Sequence, residues 1–150
     1  ANHDPAADYP AAVLGLGAMI VTNRRKIAAD DYFQGLFTTT LEDGEIITRI
    51  EFPVPKRAAY AKFPHPASGY AMAGVFVAQM ADGIRIAVTG TGAGAFRWKA
   101  AEAALGKSPK AAALEGVALD VAEMNEDIHA TREYRANLVR GMTKRALAKL

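Results

Sequence analysis

Apolar residues in this chain fall in short blocks separated by polar or glycine-containing turns. Ala11 to Leu16 is one such block, preceded by Asp8-Tyr9-Pro10 and closed by Gly17. Proline suits the first turn of a helix, where its missing N–H costs nothing, so a short helix is expected here. Ala18 to Thr22 (AMIVT) reads as an apolar strand, Asn23-Arg24-Arg25 as a turn and Lys26 to Ala29 as a short return strand. Asp30 and Asp31 can accept the free N–H groups of a helix start, which predicts a short helix through Phe37. Leu41 to Glu45 is a turn with Gly44 supplying the permissive φ. In Ile46 to Phe52 (IITRIEF), alternation places Ile46, Thr48, Ile50 and Phe52 on one face of a strand and Ile47, Arg49 and Glu51 on the other. Pro53-Val54-Pro55-Lys56-Arg57 then removes donors and disfavours helix, which predicts an exposed linker crossed by few contacts. The chain is thereby divided into residues 1–55 and 56–150.

Beyond that linker the pattern changes. Ala58 to Phe63 reads as a strand, Pro64 to Gly69 as a loop, and Ala71 to Met80 as a strand buried on both sides. Asp82-Gly83 is a strong hairpin signal, and Ile84 to Thr89 is the partner strand. After the glycine-rich stretch Gly90 to Gly94, a helix is expected from Arg97 to Leu105, stopped by Gly106. Pro109 to Glu123 is Ala-rich and reads as helix with a break at Gly116. Thr131 to Leu150 reads as a long helix with Leu138, Met142, Arg145 and Leu147 near one stripe and basic residues around the rest. A small sheet, expected to be three-stranded and antiparallel, followed by helices is an α+β arrangement.

Composition narrows the function classes. Hydrophobic residues make up 51% of the 150 residues, enough for a packed core. The net charge is +2 and the 18 basic residues are spread out, which argues against nucleic acid as a partner. There is no cysteine, so disulfides, thiolate zinc sites and cysteine-held iron–sulphur clusters are excluded from this chain. No apolar run is long enough to span a membrane, and the first residues do not read as a signal peptide. A cytoplasmic location is expected on these grounds.

Most polar clusters have structural explanations. The GTGAG stretch (Gly90, Gly92, Gly94) lies between a strand and a helix, as a phosphate cradle would. Its spacing departs from GxGxxG and no P-loop lysine follows, so a tight strand-to-helix turn is the simpler reading. His3, His65 and His129 lack ligand spacing, and no metal site is expected. The groups Asp30-Asp31, Glu42-Asp43-Glu45 and Glu123-Glu126-Asp127 read as caps and solvated turns. Arg132, Arg135, Arg140, Lys144 and Arg145 read as a solvated helix face or an interface. No catalytic nucleophile or general base stands out. Two segments are richer than structure alone needs: ANHDPAADYP (Ala1 to Pro10), with Asn, His and two Asp, and KFPHPASGYAMAG (Lys62 to Gly74), with a lysine, a proline-stiffened loop and a tyrosine.

Those segments carry a resemblance. ANHDPAADYP resembles the loop that lies over the flavin in the FAD-binding (medium) subunits of molybdenum hydroxylases, the carbon monoxide dehydrogenase/xanthine dehydrogenase family. LEDGEIITRIEFPVP (Leu41 to Pro55), YAKFPHPASGYAMAGV (Tyr60 to Val75), GTGAGAFRWKAAEAAL (Gly90 to Leu105) and EYRANLVRGMTKRAL (Glu133 to Leu147) are similar to later parts of the same subunits, in the same order. The family's glycine-rich pyrophosphate loops are absent from these residues, so the chain is expected to be a truncated, processed or split-gene piece that carries FAD weakly by itself.

The resemblance implies the end of a PCMH/VAO-type FAD-binding subdomain in residues 1–55. In residues 56–150 it implies a small antiparallel sheet packed with a helical bundle, like the CO dehydrogenase flavoprotein C-terminal domain. It implies FAD as cofactor, with Asp8 on the ribityl chain. Asn2, His3 and Asp4 would lie in the loop beside the flavin, and Ile47 would pack beside its adenine or ring system. Lys62 would sit near the isoalloxazine pyrimidine edge and Tyr70 over one ring face. It implies partners as well: a large subunit holding the molybdenum cofactor and a small subunit holding iron–sulphur clusters, with electrons leaving through FAD to an external acceptor. A non-enzymatic module that only docks partner subunits is the alternative. Self-association is expected if the apolar stretch Ala11 to Ile20 lacks cover.

Overall fold

A computed structural model describes residues 2–108 and 110–150. Ala1 of the first loop and Pro109, the expected start of a helix, lie outside the described residues. Helix α1 (Tyr9–Leu16) begins with Pro10 in its first turn and ends at Gly17, which adopts a left-handed φ of 63°. The N–H groups of Gly17 and Ala18 return to the carbonyls of Leu14 and Val13, closing the helix end. Strands β1 (Met19–Thr22), β2 (Lys26–Ala28) and β5 (Ile47–Glu51) form a sheet of order β2-β1-β5, antiparallel throughout.

Between them the expected helix through Phe37 is cut short. Helix α2 is Ala29–Tyr32 only, and the chain then turns into a two-stranded ribbon, β3 (Phe33–Gly35) and β4 (Thr38–Thr39). Asp30 does not cap α2, which has no side-chain cap. Its carboxylate lies 3.2 Å from both Arg85 and Arg97 instead.

The second sheet contains β6 (Arg57–Pro64), β7 (Ala71–Gln79), β8 (Ile84–Thr89) and the short β9 (Phe96–Arg97), in that order and antiparallel. It is thus four-stranded rather than three-stranded. β9 pairs only at Arg97 with Ala87 and Phe96 with Val88, too short a run to show periodicity. Helix α3 is Lys99–Lys107, so Gly106 lies inside it and does not stop it. The expected helix from Pro109 to Glu123 is absent over the described residues. A single 3₁₀ turn (Ala111–Leu114) leads into irregular chain after Gly116, at φ +71°. Helix α4 (Arg132–Leu147) is capped by Thr131, whose hydroxyl accepts the Tyr134 N–H.

Alternation along β7 and β8 gives the sheet two apolar faces. Val75, Val77, Ile86 and Val88 face a core with α3, α4 and the 3₁₀ turn, where Trp98, Leu105, Leu138, Val139 and Met142 are buried. Phe76 and Ala87 point the other way, into a core with Ala11, Val13, Leu14 and Ile20. Helix α1 therefore covers the second face of the sheet. This overturns two expectations. Pro53 and Val54 are exposed and without regular structure, yet many contacts connect the parts on either side of them. A sheet apolar on both faces needs cover on both. For the same reason Ala11 to Ile20 is largely buried, which removes the stated basis for self-association. In α4, Arg145 is exposed, while Arg135 is buried on the inner face.

Candidate functional site

The end of β8 and the residue after it hold the first residues through contacts to their backbone. The Thr89 hydroxyl donates to the carbonyls of Pro5 (3.2 Å) and Ala7 (2.8 Å), and the Gly90 N–H donates to Pro5 at 2.8 Å. His3, at φ +49°, is only 4% exposed. Its Nε2 accepts the Ala95 N–H at 3.0 Å and its Nδ1 lies 3.2 Å from the Thr38 carbonyl. An N–H can donate only to a lone pair, so the proton sits on Nδ1 and the ring is the neutral tautomer. The ring also packs 4.6 Å from Phe33.

The glycine-rich stretch exists to admit these close approaches. A Cβ at Gly90 would lie 2.3 Å from the Ala71 carbonyl oxygen, at Gly92 2.9 Å from that of Glu123, and at Gly94 2.0 Å from the His3 ring. The tight packing turn expected from its spacing is what the stretch forms.

Asp8 occupies the N-cap position of α1, where a carboxylate ordinarily accepts backbone N–H groups. It makes no such cap. Its carboxylate turns to β6, accepting from the Tyr60 hydroxyl at 2.5 Å and from Lys62 Nζ at 2.9 Å. Tyr60 and Lys62 are two residues apart on β6 and so share a face. Burial, reinforced by the Asp8 hydrogen bond and charge, pushes the Tyr60 phenol above its usual range, so it remains a donor. Gly74, opposite Lys62 on β7, makes room for that phenol, since a Cβ there would lie 2.1 Å from the Tyr60 oxygen. The Asp8 side chain nevertheless stays 45% exposed.

The remaining candidates lie around this pair. Asn2 is exposed. Asp4 is half-buried and its Oδ1 accepts the Ala6 N–H at 2.9 Å, shaping the turn. Ile47 and His3 line a cavity of about 280 Å³ with Tyr9, Pro10, Val13, Ile50 and Phe52. Tyr70 is 60% exposed and lines a second cavity, of about 210 Å³, with Pro5, Ala6, His65 and His129. Asp8 and Lys62 thus meet directly, while His3 with Ile47, and Tyr70, lie in separate recesses joined by the loop from His3 to Asp8. Sequence reasoning missed Tyr60. Its place two residues before Lys62 was the only available signal.

Glu45 is another miss. Read as part of a solvated turn, it is buried, with its side chain bonded to Arg25 (2.9 Å), the Glu42 N–H (2.9 Å) and the Thr22 hydroxyl (2.7 Å). The Arg25 guanidinium, with those donors, holds its carboxyl at about 2. Arg135, read as part of a solvated face, donates to the Met72 and Gly90 carbonyls at 3.1 Å and to Asp127 at 2.6 Å.

A half-exposed carboxylate–lysine pair, an apolar recess and an exposed tyrosine lie on one α+β scaffold. Residues 1–55 match the family described as FAD binding domain in molybdopterin dehydrogenase, and residues 58–150 match the CO dehydrogenase flavoprotein C-terminal domain. The chain belongs to this family of molybdenum hydroxylase flavoprotein subunits.

It is 34% identical to the nicotine 6-hydroxylase medium subunit of Paenarthrobacter nicotinovorans and 29% identical to the carbon monoxide dehydrogenase medium chain of Hydrogenophaga pseudoflava, each match covering 98% of this chain and 57% of the relative. Reconstituted CO dehydrogenase from Oligotropha carboxidovorans has a chain of the same fold, with a TM-score of 0.87 and 30% identity over 98% of this chain and 57% of that one. The chain thus spans little more than half the length of these relatives.

FAD is the cofactor named for the family that residues 1–55 match. The residues present fit such a group. The Asp8 carboxylate stays 45% exposed, Lys62 is a nearby cation, Tyr9 offers an exposed ring beside apolar walls, and Tyr70 offers another at the second recess. Among the described residues no cluster of three metal-ligating side chains occurs and no helix is long and apolar enough to cross a membrane.

Proposed function

We propose that this chain is a C-terminal part of the FAD-carrying subunit of a cytoplasmic molybdenum hydroxylase. Electrons reach it from iron–sulphur clusters on a small subunit, after substrate oxidation at molybdenum on a large one, and leave to an external acceptor. Residues 1–55 end the FAD-binding part and residues 56–150 form the C-terminal domain. The observation that carries the reading is Asp8, which gives up the helix cap it is placed to make and presents its carboxylate, half-exposed, beside Lys62.

The flavin, when bound, supplies the redox chemistry, and the protein binds and orients it. Asp8 would accept ribityl hydroxyls, and such charge-assisted bonds are short and directional. Tyr60 holds the free rotation of that carboxylate in check, because its phenol remains protonated. Lys62 would place a cation beside the bound flavin, where it would favour an anionic reduced ring. Tyr70, exposed beside the second recess, would lie against the flavin ring and govern access to it. Ile47 supplies an apolar wall. His3 and Asp4 shape the loop, and Asn2 lies at its exposed start.

The test is made in the complete subunit. Asp8→Asn lowers flavin content, whereas Tyr70→Ala leaves content near normal and changes flavin reduction and reoxidation rates in stopped flow. Unchanged content in the first and unchanged rates in the second overturn the two assignments.

A further inference from the structure

The loop from Pro64 to Tyr70, between β6 and β7, holds its shape without burial. Every residue from Pro66 to Tyr70 is exposed. Backbone bonds close it: the His65 N–H donates to Tyr70 at 2.7 Å, and the Gly69 N–H to His65 at 2.8 Å, with Gly69 at φ +73°. Those bonds fix the two ends and leave the middle free. The His65 side chain supplies what is missing. Its Nδ1 lies 3.2 Å from the Ala67 nitrogen and 3.4 Å from the Ser68 nitrogen, and the Ser68 hydroxyl in turn accepts the Tyr70 N–H at 3.3 Å.

Two amides pointing at Nδ1 require a lone pair there, so the ring proton is on Nε2. The other side of the ring meets His129, edge to face, with centroids 4.6 Å apart. His129 is itself anchored, because its N–H donates to Asp127, which pairs with the buried Arg135 on α4. A chain of contacts therefore runs from α4 through His129 and His65 to the backbone of Tyr70.

We infer that His65 is the positioning residue for Tyr70: its Nδ1 orders the exposed loop, and His129 holds its ring against the body of the protein. The significance for flavin rests on the reading of Tyr70 given above, while the ordering itself does not. Backbone ¹⁵N relaxation of the chain separates the two. Ser68 and Tyr70 have order parameters near the rigid value of about 0.85 in the native chain and fall below about 0.6 in His65→Ala. His65→Asn restores them, because an Asn side-chain oxygen reaches the N–H groups two and three residues on, as in an Asx turn. His129→Ala lowers them part of the way.

Rigid values in His65→Ala overturn the inference, as does an Asn variant as mobile as the Ala variant. In the flavin-loaded complete subunit, His65→Ala shifts reoxidation in the same direction as Tyr70→Ala, and His65→Asn does not. If Tyr70→Ala changes the rates and His65→Ala leaves them native, the positioning role fails. If Tyr70→Ala changes nothing, the reading of Tyr70 fails, and the relaxation data still decide the role of His65.

Discussion

The contact between His3 and Gly94 can be tested as a thermodynamic cycle. The His3 ring makes two hydrogen bonds, to Ala95 and Thr38, and packs on Phe33. Each hydrogen bond is worth about 1 kcal/mol and the ring contact about 1 kcal/mol more, so His3→Ala should cost about 3 kcal/mol. Gly94 is not left-handed, so alanine is compatible with its backbone. Its new Cβ would nevertheless stand 2.0 and 2.2 Å from two atoms of the His3 ring. The ring must leave, and Gly94→Ala should therefore forfeit the same interactions, again about 3 kcal/mol. With the ring already absent, the added methyl enters vacated space. The double variant should cost about 3 kcal/mol rather than the additive value of about 6 kcal/mol. Urea unfolding reads this directly: at a slope of about 2 kcal/mol/M, each variant shifts its midpoint by about 1.5 M and the double variant by no more. Additivity to within about 0.5 kcal/mol would show that the ring does not occupy the space above Gly94.

Two buried charges give further expectations. Glu45 has its folded-state pKa lowered from an ordinary 4.5 to about 2. Its contribution is therefore present above the unfolded value and is lost as pH falls towards 2. Native protein should exceed Glu45→Gln in urea midpoint at neutral pH, with the gap closing between those pH values; a gap independent of pH would contradict the assignment. Arg135→Leu removes three donors and leaves the Met72 and Gly90 carbonyls to find new partners, so a loss of about 3–5 kcal/mol in urea unfolding is expected, and one below about 1 kcal/mol would place Arg135 outside the core.

The strongest sequence signals were those with a local cause. Helix α1 has Pro10 in its first turn and Gly17 at its end, and β7 and β8 are joined at Asp82-Gly83; each is specified by residues within a few positions. Where tertiary contacts decided, local signals misled. The acidic pair at Asp30 and Asp31 predicted a longer helix, but Asp30 is drawn to Arg85 and Arg97, more than fifty residues away, and the chain after Tyr32 forms a ribbon. The Ala-rich stretch after Lys110 has helix propensity and little else. Leu114 is its buried apolar anchor among Ala111 to Leu114, and one 3₁₀ turn suffices to place it. Glu45 and Arg135 looked solvated because charge in a sequence says nothing of which partners fold over it.

The candidate site was legible as residue types and illegible as an arrangement. Asp8 and Lys62 could be singled out, yet nothing near Asp8 announces that Tyr60, fifty-two residues on, will take its carboxylate away from the helix it should cap. The same holds for the loop from His3 to Asp8 as a whole. It is fastened to Thr89 and Gly90, to Ala95, and to Tyr60 and Lys62, all on the far side of Pro53 to Lys56 in sequence. Groups that must hold a ligand to within a fraction of an ångström are best fixed by rigid elements. Here the second sheet is that element, and the glycine stretch is the gap that lets His3 reach it. It follows that β6, β7 and the glycine stretch set the geometry of Asp8 and His3. Substitutions at Gly74 or Gly94 should then act on the Asp8 region from a distance, through Tyr60 in the one case and His3 in the other.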